Sequence, residues 1–159
     1  MKLYLVRHAE AEDASDTVSD EDRQLTDAGR SRTEAAAQAM RRMGLRPQHI
    51  YSSPRARAVQ TAKIIGEALK APVAIHEAVD FAFDVQAVES LSSGLDEGAE
   101  LMFVGHDPSI SKVVSDLTGA NVVMKKGTLA RIDVVTIASP LRGRLVWLVA
   151  PKVFDALRG

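Results

Sequence analysis

The 159-residue chain contains no cysteine. That excludes disulfides, thiolate zinc sites, iron–sulfur clusters and every cysteine nucleophile. An excess of either charge is also missing: 20 Lys and Arg stand against 21 Asp and Glu, a formal net charge of -1. Broad binding to nucleic acid or to an anionic membrane would need a basic surplus. No apolar run approaches the roughly 20 residues that span a bilayer. The segment Met1–Val6 is apolar for only a few residues before Arg7, too short for a signal peptide. The expectation is a soluble cytoplasmic protein with no nucleic-acid or membrane partner. A Gly-x-x-x-x-Gly-Lys-Ser/Thr loop is lacking, so a P-loop kinase is not expected. An Asp-x-Asp after an apolar strand is lacking as well, since Asp80 and Asp84 have the wrong spacing for an aspartyl nucleophile.

The length, with 46% hydrophobic residues, suits one domain over residues 1–159. Strand and helix patterns alternate along it. Leu3–Val6, Ile50-Tyr51, Val73–Ile75 and Leu101–Val104 read as strands, the last as one covered on both faces. Leu129–Ile137 and Leu145–Val149 read as a hairpin at a sheet edge, turning at Pro140 and Gly143. Thr26 caps a helix that runs past Met40 and ends at Gly44 and Pro47. Ser53-Pro54 and Asp107-Pro108 read as cap-then-proline starts of two more helices, and Val85–Leu91 as a short one. The acidic stretch from Ala11 to Asp22 reads as a surface loop. This alternation predicts an α/β three-layer sandwich with a mostly parallel central sheet.

In such sheets ligands bind beyond the carboxyl ends of the strands. Arg7-His8 follows the first strand, Gly105-His106 follows Leu101–Val104, and Ser52-Ser53-Pro54-Arg55-Ala56-Arg57 follows the strand at Tyr51. Two imidazoles, at least two guanidiniums and a helix start would meet at one edge. Guanidinium forks and helix N-termini bind phosphate oxygens. A neutral imidazole can serve as a phosphoryl-accepting nucleophile. With cations and amides to neutralise the phosphoryl charge, no metal or other cofactor is required. A divalent-ion site from His8, Glu10, His106 and Asp107 is the rival arrangement.

These segments resemble the histidine phosphatase superfamily. The likeness rests on Arg7-His8, on Ser52-Ser53-Pro54-x-x-Arg57-Ala58-x-Gln60-Thr61 and on Val104-Gly105-His106, in that order. The short length and Leu25-Thr26-x-x-Gly29 point to its SixA-like branch of phosphohistidine phosphatases. The resemblance implies the phosphoglycerate-mutase-like fold. It implies that His8 becomes phosphorylated, that Arg7, Arg57 and His106 hold the phosphoryl group, and that Arg23 adds a further phosphate contact. It also implies a phosphohistidine-bearing phosphotransfer protein as substrate, inorganic phosphate as product, and a place in signal transduction. A small-molecule phosphomonoesterase and a non-catalytic phosphate-binding module are the alternatives. Two features depart from the family pattern. Ala9 stands where Gly usually follows Arg-His, and none of Glu77, Asp80 and Asp84 falls in a recognisable general-acid motif. His49, His76, Lys125 and Lys126 read as surface residues, Arg55 as a solvated helix-start or rim residue, and Ser53 as a cap.

Overall fold

The computed structural model describes residues 1–158. Its elements are β1 (Lys2–Arg7), α1 (Asp27–Arg42), β2 (His49–Ser52), α2 (Ala56–Leu69), β3 (Val73–Ile75), α3 (Val85–Ser92), β4 (Glu100–Gly105), α4 (Ser109–Thr118), β5 (Leu129–Thr136), β6 (Arg142–Val149) and α5 (Pro151–Ala156). The strands form one sheet in the order β3-β2-β4-β1-β5-β6. β3, β2, β4 and β1 are mutually parallel, and β5 and β6 form the antiparallel hairpin at one edge. Among the described residues no helix is long and apolar enough to cross a membrane.

Alternation along the central strands supplies both faces of the sheet. Leu3, Leu5, Leu101 and Phe103 pack with Ile110, Val113, Val114 and Leu117 of α4 and Val88 of α3. Tyr4, Val6, Met102 and Val104 point the other way, onto Ala37 and Met40 of α1, Ala58, Ala62 and Ile65 of α2 and Phe154 of α5. Burial on both faces is why these strands read as unbroken apolar runs.

Three local expectations need correction. α2 begins at Ala56 rather than at Pro54: the Ser53 hydroxyl bonds His106 and Asp80 and accepts from Arg55 N at 3.3 Å, ahead of the helix, so it caps no helical amide. α4 begins at Ser109, and Asp107 accepts a hydrogen bond from the Ser111 side chain. Gly143 lies inside β6, opposite Val134, where a Cβ would meet the Asp133 carbonyl at 2.9 Å. The sequence reading also lacked α5, whose six residues are too few to show a helical period.

The segment after β1 is pinned to α1. The Thr26 hydroxyl caps α1 by accepting from Gly29 N, and Thr26 N donates to the Glu10 carbonyl at 3.1 Å. Gly29 packs directly on that carbonyl: a Cβ there would collide with Glu10 O and approach Glu10 C to 3.1 Å. This explains the Thr-x-x-Gly pattern physically. Gly29→Ala should destabilise the protein by roughly 1–3 kcal/mol despite its better helix propensity, as read by urea unfolding. Unchanged or higher stability would show that the α1 contact yields without cost.

Candidate active site

Register brings the two histidines together. β1 pairs with β4 so that Arg7 faces Gly105, and His8 N donates to the Gly105 carbonyl at 3.0 Å. One residue further on, the His8 and His106 rings lie 5.1 Å apart between centroids. On the other side of β4, Ser52 faces Val104, and the Ser53 hydroxyl reaches His106 Nε2 at 2.7 Å. Both rings are buried, 5% exposed for His8 and 1% for His106.

His8 Nδ1 lies 2.7 Å from the Ala9 carbonyl. A carbonyl only accepts, so Nδ1 carries the proton and Nε2 presents its lone pair. Burial, reinforced by His106, Arg57 and Arg7, pushes the His8 pKa down to about 3. The ring is therefore neutral and nucleophilic at neutral pH. Ala9 does not disturb this. Its methyl group joins a small apolar cluster with Ala11, Leu25 and Ile64, and its φ is not positive, so glycine is not required. Its N–H donates to Thr61 Oγ1 at 3.1 Å, tying the segment to α2.

His106 reads the opposite way. Ser53 donates its hydroxyl proton to Asp80 Oδ1 at 3.1 Å and so accepts from His106 Nε2–H. His106 Nδ1 is left buried and without a partner. Burial, followed by the Arg57 charge, pushes the His106 pKa down to about 4.

Four guanidiniums converge here. Arg7 donates from Nη1 to the Met124 carbonyl at 2.8 Å, and its buried Nε has no partner. Arg57 donates to the Asp20 carbonyl at 2.7 Å and reaches Asp20 Oδ2 at 3.3 Å. Arg23 bridges the Glu12 carbonyl at 2.7 Å and Asp20 Oδ1 at 2.8 Å, so the structure ties it to the acidic loop. Arg55, expected to be a solvated or rim residue, is instead largely buried. It bonds Asp80 Oδ1 through Nε at 2.7 Å and Asp20 Oδ2 through Nη1 at 2.8 Å, and covers the Phe81 ring at 3.7 Å.

Asp20, Asp80, Arg55, Ser53 and Phe81 are thus the site residues that sequence reasoning did not assign. For Asp20 the only signal was its place three residues before Arg23; for Asp80, its place after the third strand. Contact with Arg23, and then with Arg57, holds the Asp20 carboxyl below the usual range. Burial pushes Asp80 up, but Arg55, with Ser53 and His106, outweighs it and the net shift is downward. Both are carboxylates at neutral pH. Four cations and two anions leave two positive charges, which match a phosphoryl dianion. The rival metal arrangement has no geometry. Glu10 bonds Thr26 at 3.0 Å, Asp107 bonds Ser111, and no three His, Asp or Glu side chains cluster among the described residues. His49, His76, Lys125 and Lys126 lie exposed, as expected.

The imidazoles also set a pH dependence of stability. Both are held below the value of about 6.5 that they have when unfolded. As pH falls through about 6.5 the unfolded chain takes up protons that the fold refuses, so stability drops from there toward about 4. The urea midpoint should fall between about pH 7 and pH 5, and the double variant His8→Asn, His106→Asn should show a flatter profile. A wild-type profile equally flat would contradict the buried neutral pair.

Comparisons with known proteins agree with this geometry. Residues 3–80 match the model of the histidine phosphatase superfamily (branch 1). An uncharacterized protein of Picosynechococcus sp. is 31% identical over 96% of this chain and 98% of its own length. The crystal structure of the "putative phosphohistidine phosphatase SixA" from Agrobacterium tumefaciens is 27% identical, with a TM-score of 0.80, covering 94% of this chain and 97% of that one. A mycobacterial glucosyl-3-phosphoglycerate phosphatase shares the fold at 18% identity and a TM-score of 0.73, over 92% of this chain and 98% of that one. The chain belongs to the histidine phosphatase superfamily, and its likeness there is to the SixA-like branch.

Proposed function

We propose that the protein is a phosphohistidine phosphatase, which takes a phosphoryl group from a phosphotransfer protein onto His8 and hydrolyses it. The observation that carries this reading is the His8 tautomer. Nδ1–H is held by the Ala9 carbonyl, which aims the Nε2 lone pair into a site enclosed by guanidiniums. Nε2 attacks phosphorus in line, and Arg7, Arg57 and His106 take the phosphoryl oxygens. The unpartnered Arg7 Nε–H is free for this, His106 Nδ1 donates once the arriving dianion draws a proton onto that ring, and Arg23 joins through the partner it shares with Arg57, Asp20. In the second step water attacks phosphorus, the P–N bond breaks toward His8 Nε2, and the water proton leaves with the phosphate. The guanidiniums balance the charge, so no metal is needed.

The preference for a P–N bond has its own support. Asp80, the carboxylate nearest His106, is ionised and cannot give a proton to an alkoxide. A phosphoimidazole protonated on its far nitrogen needs no such acid, because it leaves as neutral imidazole. The name of the SixA structure points the same way.

The test incubates the protein, with a chelator present, with a phosphohistidine-bearing protein and separately with a chromogenic phosphate ester. Phosphate release should be faster from the first, and His8→Ala should lose at least about a thousandfold on both. Arg57→Ala should lose about a hundredfold in kcat/KM. Full activity in His8→Ala would overturn the nucleophile. Tight phosphate binding with no turnover of either substrate would make the protein a binding module.

A further inference from the structure

Asp80 uses only one of its two carboxylate oxygens. Oδ1 accepts from Ser53 Oγ at 3.1 Å and from Arg55 Nε at 2.7 Å, and lies 3.5 Å from His106 Nε2. Oδ2 has no hydrogen-bond partner among the described residues, although Asp80 is part-exposed at the site's edge. The neighbouring residue is as unusual. Phe81 is 53% exposed, yet its ring is held in place, with the Arg55 guanidinium over it at 3.7 Å and the His106 ring edge-on at 4.9 Å. A large apolar ring fixed in solvent beside a buried imidazole offers a flat surface to something absent from the free protein.

In-line displacement puts the leaving group across phosphorus from His8. His8 and His106 are buried, so a phosphoryl group carried on another protein enters from the solvent side. On the His106 flank that side is formed by Asp80 and Phe81. We propose that Asp80 Oδ2 and the Phe81 ring form a leaving-group subsite that selects a protonated imidazole. The ring lies against Phe81, and its far nitrogen donates its N–H to Oδ2. This rests on the phosphohistidine reading and adds the residues that would enforce it.

The chemistry balances. The scissile P–N bond breaks with its electron pair staying on the substrate nitrogen, and the His8 Nε2 lone pair forms the new P–N bond. The proton on the far nitrogen remains there, so a neutral imidazole departs. A carboxylate at that nitrogen favours the protonated ring, the form that leaves readily. The same carboxylate disfavours an alkoxide, whose departure builds negative charge beside it. Attraction to one leaving group and repulsion of the other together give selectivity. The charged and titratable groups facing Asp80 are Arg55 and His106, with Asp20 on the far side of Arg55.

Asp80→Asn isolates the claim. Its amide oxygen can still accept from Ser53 and Arg55, while an NH2 group that cannot accept replaces Oδ2. Three substrates are compared: a phosphohistidine peptide, phosphoramidate, which has a P–N bond but no ring, and a chromogenic phosphate ester. Asp80→Asn should lower kcat/KM for phosphohistidine by roughly tenfold to a hundredfold. Phosphoramidate, which has no ring, should lose far less, and the ester should hold its rate or gain, because the repulsion of its departing anion is removed. Phe81→Leu should raise KM for phosphohistidine and leave phosphoramidate alone. An equal loss on all three substrates, or no loss on any, would overturn the subsite while leaving the phosphohistidine reading intact. A wild-type protein that does not turn over phosphohistidine would remove that reading, and the subsite with it.

Discussion

The parallel register of β1 on β4 is the constraint on which the site depends. Pairing Arg7 with Gly105 sets His8 beside His106, and the same ladder puts Ser53 next to His106 through the pairing of β2 with β4. The register is held by the two-sided burial of Leu3, Tyr4, Leu5 and Val6 against Leu101, Met102, Phe103 and Val104. A slip of one residue would exchange the two faces of a strand and bury the wrong set. Core packing and the geometry of the candidate site are therefore one specification.

Around that frame the charge is arranged in layers. The histidines are kept neutral by burial, while Arg7, Arg23, Arg55 and Arg57 supply the cations. Asp20 and Asp80 offset part of that charge and hold the guanidiniums in place through specific bonds. The whole-chain charge of -1 conceals this local excess, because most of the 21 acidic residues lie elsewhere in the chain. The acidic loop from Ala11 to Asp22 is an organising element of the site: its Asp20 links Arg23, Arg55 and Arg57, which come from two different segments.

Much of the fold was legible because strands buried on both faces and helices with one apolar face leave strong periodic marks. Arg7, His8, Arg57 and His106 were legible as residues at strand ends, where parallel sheets place their ligands. What escaped notice depends on side chains meeting across the chain. Arg55 meets Asp80 and Asp20 at separations of 25 and 35 residues, and Ser53 meets His106 at 53. A serine before a proline looks like a cap whether its hydroxyl faces a helix end or an imidazole. An arginine at a helix start looks solvated until its acidic partners are located. Arg23 was legible as a basic residue near the site, but its bonds to the Glu12 carbonyl and Asp20 could not be read from spacing.

The central claim is that His8 Nε2 carries the phosphoryl group between substrate and water. Mixing the protein with a phosphohistidine-bearing donor, quenching in denaturing alkali within one turnover and mapping the peptides by mass spectrometry tests it most directly. Phosphate should appear on the imidazole of His8, rise and decay on the timescale of turnover, and be absent from His8→Ala. Full turnover with no phosphate on His8 at any time, or phosphate on His106 instead, would contradict the account.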